Sequence, residues 1–393
     1  MVKFTILAGG FSSFIASYLF DSDASTLTLV TQTQTGENPS WIASHPQNTS
    51  ILYAVNEISP VGNIQSFIVN PGGGLTLIDT VSSRGDSPTF TSPLSTGEVT
   101  AVNFGSPNCL IIATIPGDPL QFQKDPLVVE FPVGNGPSHP HMSLEFGGEV
   151  YVPDLGADKI WRLGKDRAGK YKVQGQIDVE PGSGPRHIAI RDNILFTLNE
   201  KRSTLTAQNI PPAPNGTTLP LMANVSIIPS SAHNPHFAAG EIIISTPSQM
   251  FPDPLIYVSN RNLDQQPDAP GDSIAIFEFV RETGTGTGGK SPCNSPSRMR
   301  APSLNFHPKR QASGQSGYCF NLVAQVFTPL KQIRSMSIGP IENGGDEFLI
   351  AGAAAEGGIS MYRRVEGGRN LAEIARNEEI AARTSFVFDG GLR

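Results

Sequence analysis

Residues 136–143 read GPSHPHMS, with Pro140 near the middle. A proline followed by a short run of this kind returns as PSWI at Pro39, PTFT at Pro88, PHMS at Pro140, PRHI at Pro185 and PHFA at Pro235. The intervals are 49, 52, 45 and 50 residues. A sixth copy, IRSMSI from Ile333, has lost the proline and lies 98 residues further on. A period of roughly 40–50 residues is the signature of a propeller or a solenoid.

A second marker follows each copy: an apolar strand that ends in a polar or turn residue. These are ILYAVNE to Glu57, VTAVNF to Phe104, VYVPD to Asp154, LFTLNE to Glu200, LIYVSNR to Arg261 and FLIAGA to Ala353. Further strands such as NIQSFIV, KIWRL, STLTAQ, DSIAIFEF and GISMYRR come after them. Each unit reads as a small antiparallel sheet that cannot bury both faces alone and must stack on neighbours. Six units and an N-terminal hairpin, FTILAGG with FIASYLFD, make seven. The expected fold is therefore all-β, a seven-bladed β-propeller of four-stranded antiparallel blades in a single domain over 1–393. The strand TSFVF at 384–388 should share a blade with the N-terminal hairpin and so close the ring, leaving no exposed sheet edge.

Three segments stand outside this pattern. LAEIARNEEIAAR, Leu371 to Arg383, spaces its apolar residues three and four apart and predicts a short C-terminal helix. Residues 281–317 have little apolar periodicity and read as an inserted flexible loop. GTGTGG inside it neither follows a strand nor opens a helix, so it reads as linker rather than a phosphate loop. The start, MVKFTILAGG, mimics a signal peptide but fits the first hairpin strand.

Charged residues make up 16% of the chain and the formal net charge is −7, with no Lys/Arg cluster, which argues against nucleic acid. No apolar stretch approaches the roughly 20 residues of a membrane-spanning helix. Three cysteines form no disulfide framework, in keeping with a cytoplasmic location. The Cys293/Cys319 pair and sequons at Asn48, Asn215 and Asn224 leave secretion open.

Equivalent positions of a propeller form rings about its channel. The residue after the proline gives Ser40, Thr89, His141, Arg186, His236 and Arg334. The marker ends give Glu57, Phe104, Asp154, Glu200, Arg261 and Ala353. Unlike residues at matched positions suggest a site, whereas the Asn of Asn56, Asn103, Asn199 and Asn260 recurs and reads as turn hydrogen bonding. Arginine forks such as Arg186 and Arg261 suit a carboxylate or lactone substrate, and a His or Glu beside them can move a proton. A metal held by His139, His141 and His236 is the competing reading. No ligand triad has familiar spacing and the arginines would repel a cation, so no metal is expected. His139 is assigned to a loop, and His187, which alternation points away from Arg186, to blade packing.

HPHMSLEFGGEVYVPDLGADKIWRL, GPRHIAI with LFTLNE, and LIYVSNR with GDSIAIFEF resemble the blade motifs of the seven-bladed β-propeller lactonases. That family includes bacterial 6-phosphogluconolactonases and a fungal carboxymuconate lactonizing enzyme. The long insertion makes the fungal cyclase type the nearer likeness. The resemblance implies His141, Arg186, Glu200 and Arg261 as catalytic residues, and the two rings add His236, Arg334, Glu57 and Asp154 as substrate-binding candidates. It implies a cofactor-independent cycloisomerase forming or opening a lactone, with His141 favoured as proton donor and Glu200 as its partner. Hydrolysis of a sugar lactone, a cyclase recruited to secondary metabolism and a non-catalytic binding platform are the alternatives.

Overall fold

The computed structural model describes residues 2–232, 236–264, 271–281 and 317–389. These residues form seven antiparallel sheets arranged as blades. Blade one pairs Lys3–Gly10 with Phe14–Asp21, adds Thr26–Gln34 outside and takes Arg383–Asp389 as its innermost strand. Its inner strand thus comes from the other end of the chain, pairing Ala8 with Phe386 and Leu7 with Val387. The inner strands of blades two to seven are Ile42–His45, Pro88–Pro93, Leu144–Phe146, Pro185–Arg191, Phe237–Ile244 and Ile333–Ile338. Blade three has a divided outer edge, Asp118–Phe122 and Leu127–Glu130, both paired to Asn108–Ile115.

The apolar side chains separate into seven clusters, one at each junction between neighbouring blades. Phe4, Phe20, Phe348 and Met361, for example, join blade seven to blade one. Phe196, Ile242, Val258 and Phe277 join blade five to blade six. Each sheet buries both faces against its neighbours, which is why the marker strands are continuous apolar runs rather than alternating ones.

The expected C-terminal helix is not formed. Asn370–Asn377 is the outer strand of blade seven, and Arg383–Asp389 is the closing strand. The register shifts between Met361 and Tyr362, whose partners are Ala375 and Glu373, so Ile374 is an extra residue. The bulge restores Leu371 and Ala375 to buried positions four residues apart, and the sequence then mimics helical spacing. The N-terminal hairpin forms as expected. The insertion read at 281–317 falls, apart from its end residues, outside the described residues, as do GTGTGG and Cys293. Cys319 is disulfide-bonded, Cys109 is a buried free thiol, and Asn48, Asn215 and Asn224 are exposed. No helix among the described residues is long and apolar enough to cross a membrane.

Closure is tight where blades one and seven meet. A Cβ on Gly352 would strike the ring of Phe386 and the carbonyl of Arg383, both on the closing strand. Arg383 also anchors that strand, donating to Ser12 Oγ at 2.8 Å and to the carbonyls of Phe14 at 3.3 Å and Ala381 at 3.1 Å. Gly352→Ala should therefore lower unfolding free energy by about 1–3 kcal/mol through overpacking, read from chemical denaturation. An unchanged midpoint would show that the closing strand tolerates displacement.

Candidate active site

A bulge near the start of the inner strands builds the site. In blade five Pro185 pairs with Asn199 and His187 with Leu198, so Arg186 is the extra residue. Blades three and seven do the same around Thr89 and Arg334, and the closing strand of blade one does so around Thr384. In blade six Ala239 pairs with Asn260, as Pro185 does with Asn199, and the residues left out of the ladder are Gly240 and Glu241. A bulge breaks alternation. Arg186 and His187 consequently both contribute to the centre, at different depths.

At the upper level Glu200 Oε2 lies 2.8 Å from Arg186 Nε and 2.9 Å from Arg261 Nη2. Arg261 also donates to the carbonyls of Ala238 and Ala239. Arg186, fully buried, donates through Nη1 to the Gly240 carbonyl and keeps Nη2 without a partner among the described residues. Arg334 packs its guanidinium over the Phe11 ring at 5.3 Å. The Oε2 atom of Glu57 is buried and likewise without a hydrogen-bond partner.

At the lower level His141, 3% exposed, meets His187 with Nδ1 3.2 Å from Nε2. His187 Nδ1 lies 2.6 Å from Glu241 Oε1. The ring centroids of Trp41 and Phe90 lie 5.3 and 5.8 Å from that of His187, and the two are stacked on each other at 4.5 Å. Supplied by blades two, three and five, these three rings pack against one another.

A family model described as "Lactonase, 7-bladed beta-propeller" matches residues 5–289. The chain belongs to the seven-bladed β-propeller lactonase family. It is 25% identical over 289 residues, covering 70% of each chain, to an Arthroderma benhamiae protein named "Probable 6-phosphogluconolactonase". It is 26% identical to the 6-phosphogluconolactonase of Bacillus subtilis over 71% of this chain and 77% of that one. Among solved structures, a periplasmic gluconolactonase of Pseudomonas aeruginosa superposes with a TM-score of 0.74 over 99% of both chains at 18% identity, a likeness of fold.

The structure brings together His141, Arg186, Glu200, Arg261, Arg334 and Glu57, but not Asp154 or His236. Asp154 bridges to Pro140, the place that Asn199 takes opposite Pro185. It is therefore the recurring turn residue, and the marker ring was one residue out of step in blade four. Its oxygens accept from Ser138 Oγ, Trp161 Nε1 and the amides of His139, Gly156 and Ala157. At the same register Asn56 and Asn103 instead donate, to the Thr35 and Ser83 carbonyls. His236 has a 69% exposed side chain and lies 3.4 Å from Asp264, because the repeat in blade six starts at Ala239 rather than Pro235. His187 is not confined to blade packing; the bulge brings it to His141. Glu241 was missed altogether, although a lone glutamate within FAAGEIII is a visible signal. His139 stacks on Phe104 in a loop. No group of three or more His, Cys, Asp or Glu among the described residues is arranged to hold a metal.

Burial holds the His141 imidazole well below the usual histidine range, and the charges of Arg186, His187, Arg334 and Arg261 act the same way. Burial also lowers His187, against the pull of Glu241 and with the push of Arg186. Arg186 is lowered to about 9 by burial and by Arg334 and Arg261, yet stays charged at neutral pH. Burial raises Glu57, opposed by Arg334, Ser40 and Arg186.

The lowered histidines stabilise the fold above the unfolded histidine pKa of about 6.5, because below it the unfolded chain binds protons that the folded chain refuses. Stability should fall as pH drops from about 7 toward 5, by up to about 1.4 kcal/mol per pH unit for each histidine. Glu57, with a raised pKa, acts in the opposite sense and offsets part of this. Denaturation at several pH values, compared with the His141→Gln/His187→Gln double variant, isolates the histidine contribution. Equal slopes in the two proteins would refute it.

Proposed function

We propose that the protein hydrolyses the lactone of an anionic sugar acid. One observation carries the reading: the buried imidazole of His141, held below the usual histidine range, sits within the field of Arg186, Arg261 and Arg334. Three guanidinium groups face the carboxylates of Glu200, Glu241 and Glu57, and the burial of Glu57 favours its neutral form, so the site is positive. Such a site suits a phosphate or carboxylate on the substrate. The names of the curated relatives favour the phosphorylated sugar lactone.

In this reading His141 Nε2 takes a proton from water as the water oxygen bonds to the lactone carbonyl carbon. The carbonyl electron pair moves to oxygen, and the unpartnered Nη2 of Arg186 donates to that oxyanion. The carbonyl re-forms, the ring C–O bond breaks, and the proton on His141 passes to the departing alkoxide. One lactone and one water give one hydroxy acid, which releases a proton to solvent at neutral pH.

Cycloisomerisation, the activity implied by likeness to the fungal type, requires a proton donor. His141 and His187 are held neutral, and Glu200 is committed to two arginines, so the residues favour a base and hydrolysis. Proton release in a weakly buffered assay should follow addition of 6-phosphogluconolactone, with kcat/KM at least tenfold above that for the unphosphorylated lactone. His141→Gln should lower kcat by about 10²–10⁴-fold with KM within a fewfold. Arg261→Ala should act mainly on KM. No acid release above the uncatalysed rate, or an ultraviolet change with carboxymuconate in its place, would overturn the reading.

A further inference from the structure

We infer that His187 and Glu241 are positioning residues that fix the tautomer of His141 and aim its basic Nε2 at the substrate, in a three-residue relay drawn from three blades. The inference rests on the proposed hydrolysis for its kinetic consequences, but its geometry stands apart from it.

The relay has one consistent set of protons. Glu241 is anchored by other donors: the Ile242 amide reaches Oε1 at 3.0 Å and Ser335 Oγ reaches Oε2 at 3.3 Å. An ionised carboxylate only accepts, so the 2.6 Å contact with His187 is donated by Nδ1–H of the imidazole. A neutral His187 then presents an unprotonated Nε2. The 3.2 Å contact must be donated by His141 Nδ1–H, which leaves the lone pair of His141 on Nε2. That nitrogen makes no hydrogen bond to the described residues. Glu241 therefore sets, two rings away, which nitrogen of His141 is basic.

The opposite arrangement needs an imidazolium at His187, donating to both neighbours and turning His141 into a donor. Its surroundings oppose this. His187 is fully buried against the rings of Trp41 and Phe90, and Arg186 and Arg334 add positive charge nearby. The charged groups acting on His141 are Arg186 of its own neighbour strand Pro185–Arg191, Arg261 of Ile256–Asn262 and Arg334 of Ile333–Ile338. Against these three, Glu241 of Phe237–Ile244 is the negative charge that reaches His141 through a hydrogen-bonded path. As His141 takes the proton from water, that charge steadies the forming imidazolium.

Two measurements test this. The first needs no substrate: nitrogen-15 NMR of the full-length protein at pH 7 should find both His141 and His187 protonated on Nδ1 and unprotonated on Nε2. A His141 protonated on Nε2, or an imidazolium at either residue, would overturn the relay whether or not the protein is a lactonase. The second uses Glu241→Gln, which keeps shape and an acceptor for the Ile242 amide but removes the charge. The hydrolytic kcat should fall about 10²-fold with KM within threefold. The acid limb of the kcat profile should also move to lower pH, because losing a negative charge lowers the pKa of the base. A purely structural role would reduce the melting temperature and leave that limb in place. A folded Glu241→Gln protein with wild-type kcat and an unmoved limb would overturn the inference.

Discussion

The extra residue near the start of the inner strands is the constraint on which the rest of the site depends. Strict alternation would send Arg186 and His187 to opposite faces of one strand. The bulge removes Arg186 from the ladder, so Arg186 and His187 both serve the channel, the first at the level of Glu200 and the second below it. A backbone carbonyl taken out of a ladder needs another donor. Side chains of the preceding blade supply it: Thr384 Oγ1 donates to the Ser40 carbonyl, Thr89 Oγ1 to that of His141, and Arg186 Nη1 to that of Gly240. Local irregularity in one blade is thereby satisfied by the blade before it, and the ring positions itself.

Electrostatics then divides the labour. Arg186, Arg261 and Arg334 would repel one another in a buried site, and the Oε2 of Glu200, shared between Arg186 and Arg261, offsets part of that repulsion. Because one carboxylate oxygen serves two guanidinium groups, Nη2 of Arg186 is left with no partner of its own. The same positive field, added to burial, keeps His141 neutral. The arginine cluster therefore also favours the base form of the imidazole beside it.

The ring of blades was legible because each blade repeats the same physical task, burying a flat apolar strand between two neighbours. Proline and asparagine punctuate those strands at fixed places, and His141, Arg186, Glu200 and Arg261 could be aligned from them. Legibility failed where the punctuation drifted. Blade six has Pro235 four residues ahead of the true register position at Ala239, so His236 was brought into the ring and Glu241 was left out. VYVPD ends on the turn residue itself, so Asp154 looked like a partner of Glu200 when it is a partner of Asn199. Bulges misled twice, turning the strand Asn370–Asn377 into apparent helix and assigning His187 to packing. A bulge changes which face a side chain takes without changing composition or period, and only pairing reveals it.

The lower level explains why a charge is kept where apolar packing would serve. Replacing a buried ion or polar chain with well-fitting hydrocarbon is often neutral or stabilising, so Glu241 and His187, which packs against the Trp41 and Phe90 rings, are not needed for a stable core. Their value lies in what they do to the field. A carboxylate held in this layer is shielded from salt and water, and its effect on the imidazoles above it is weakened little by either. On the proposed reading the arginines meet substrate charge, and Glu241 acts on His141 through the hydrogen bonds of His187. The two inputs act on one ring, through space from Arg186, Arg261 and Arg334 and through the hydrogen bonds of His187 from Glu241.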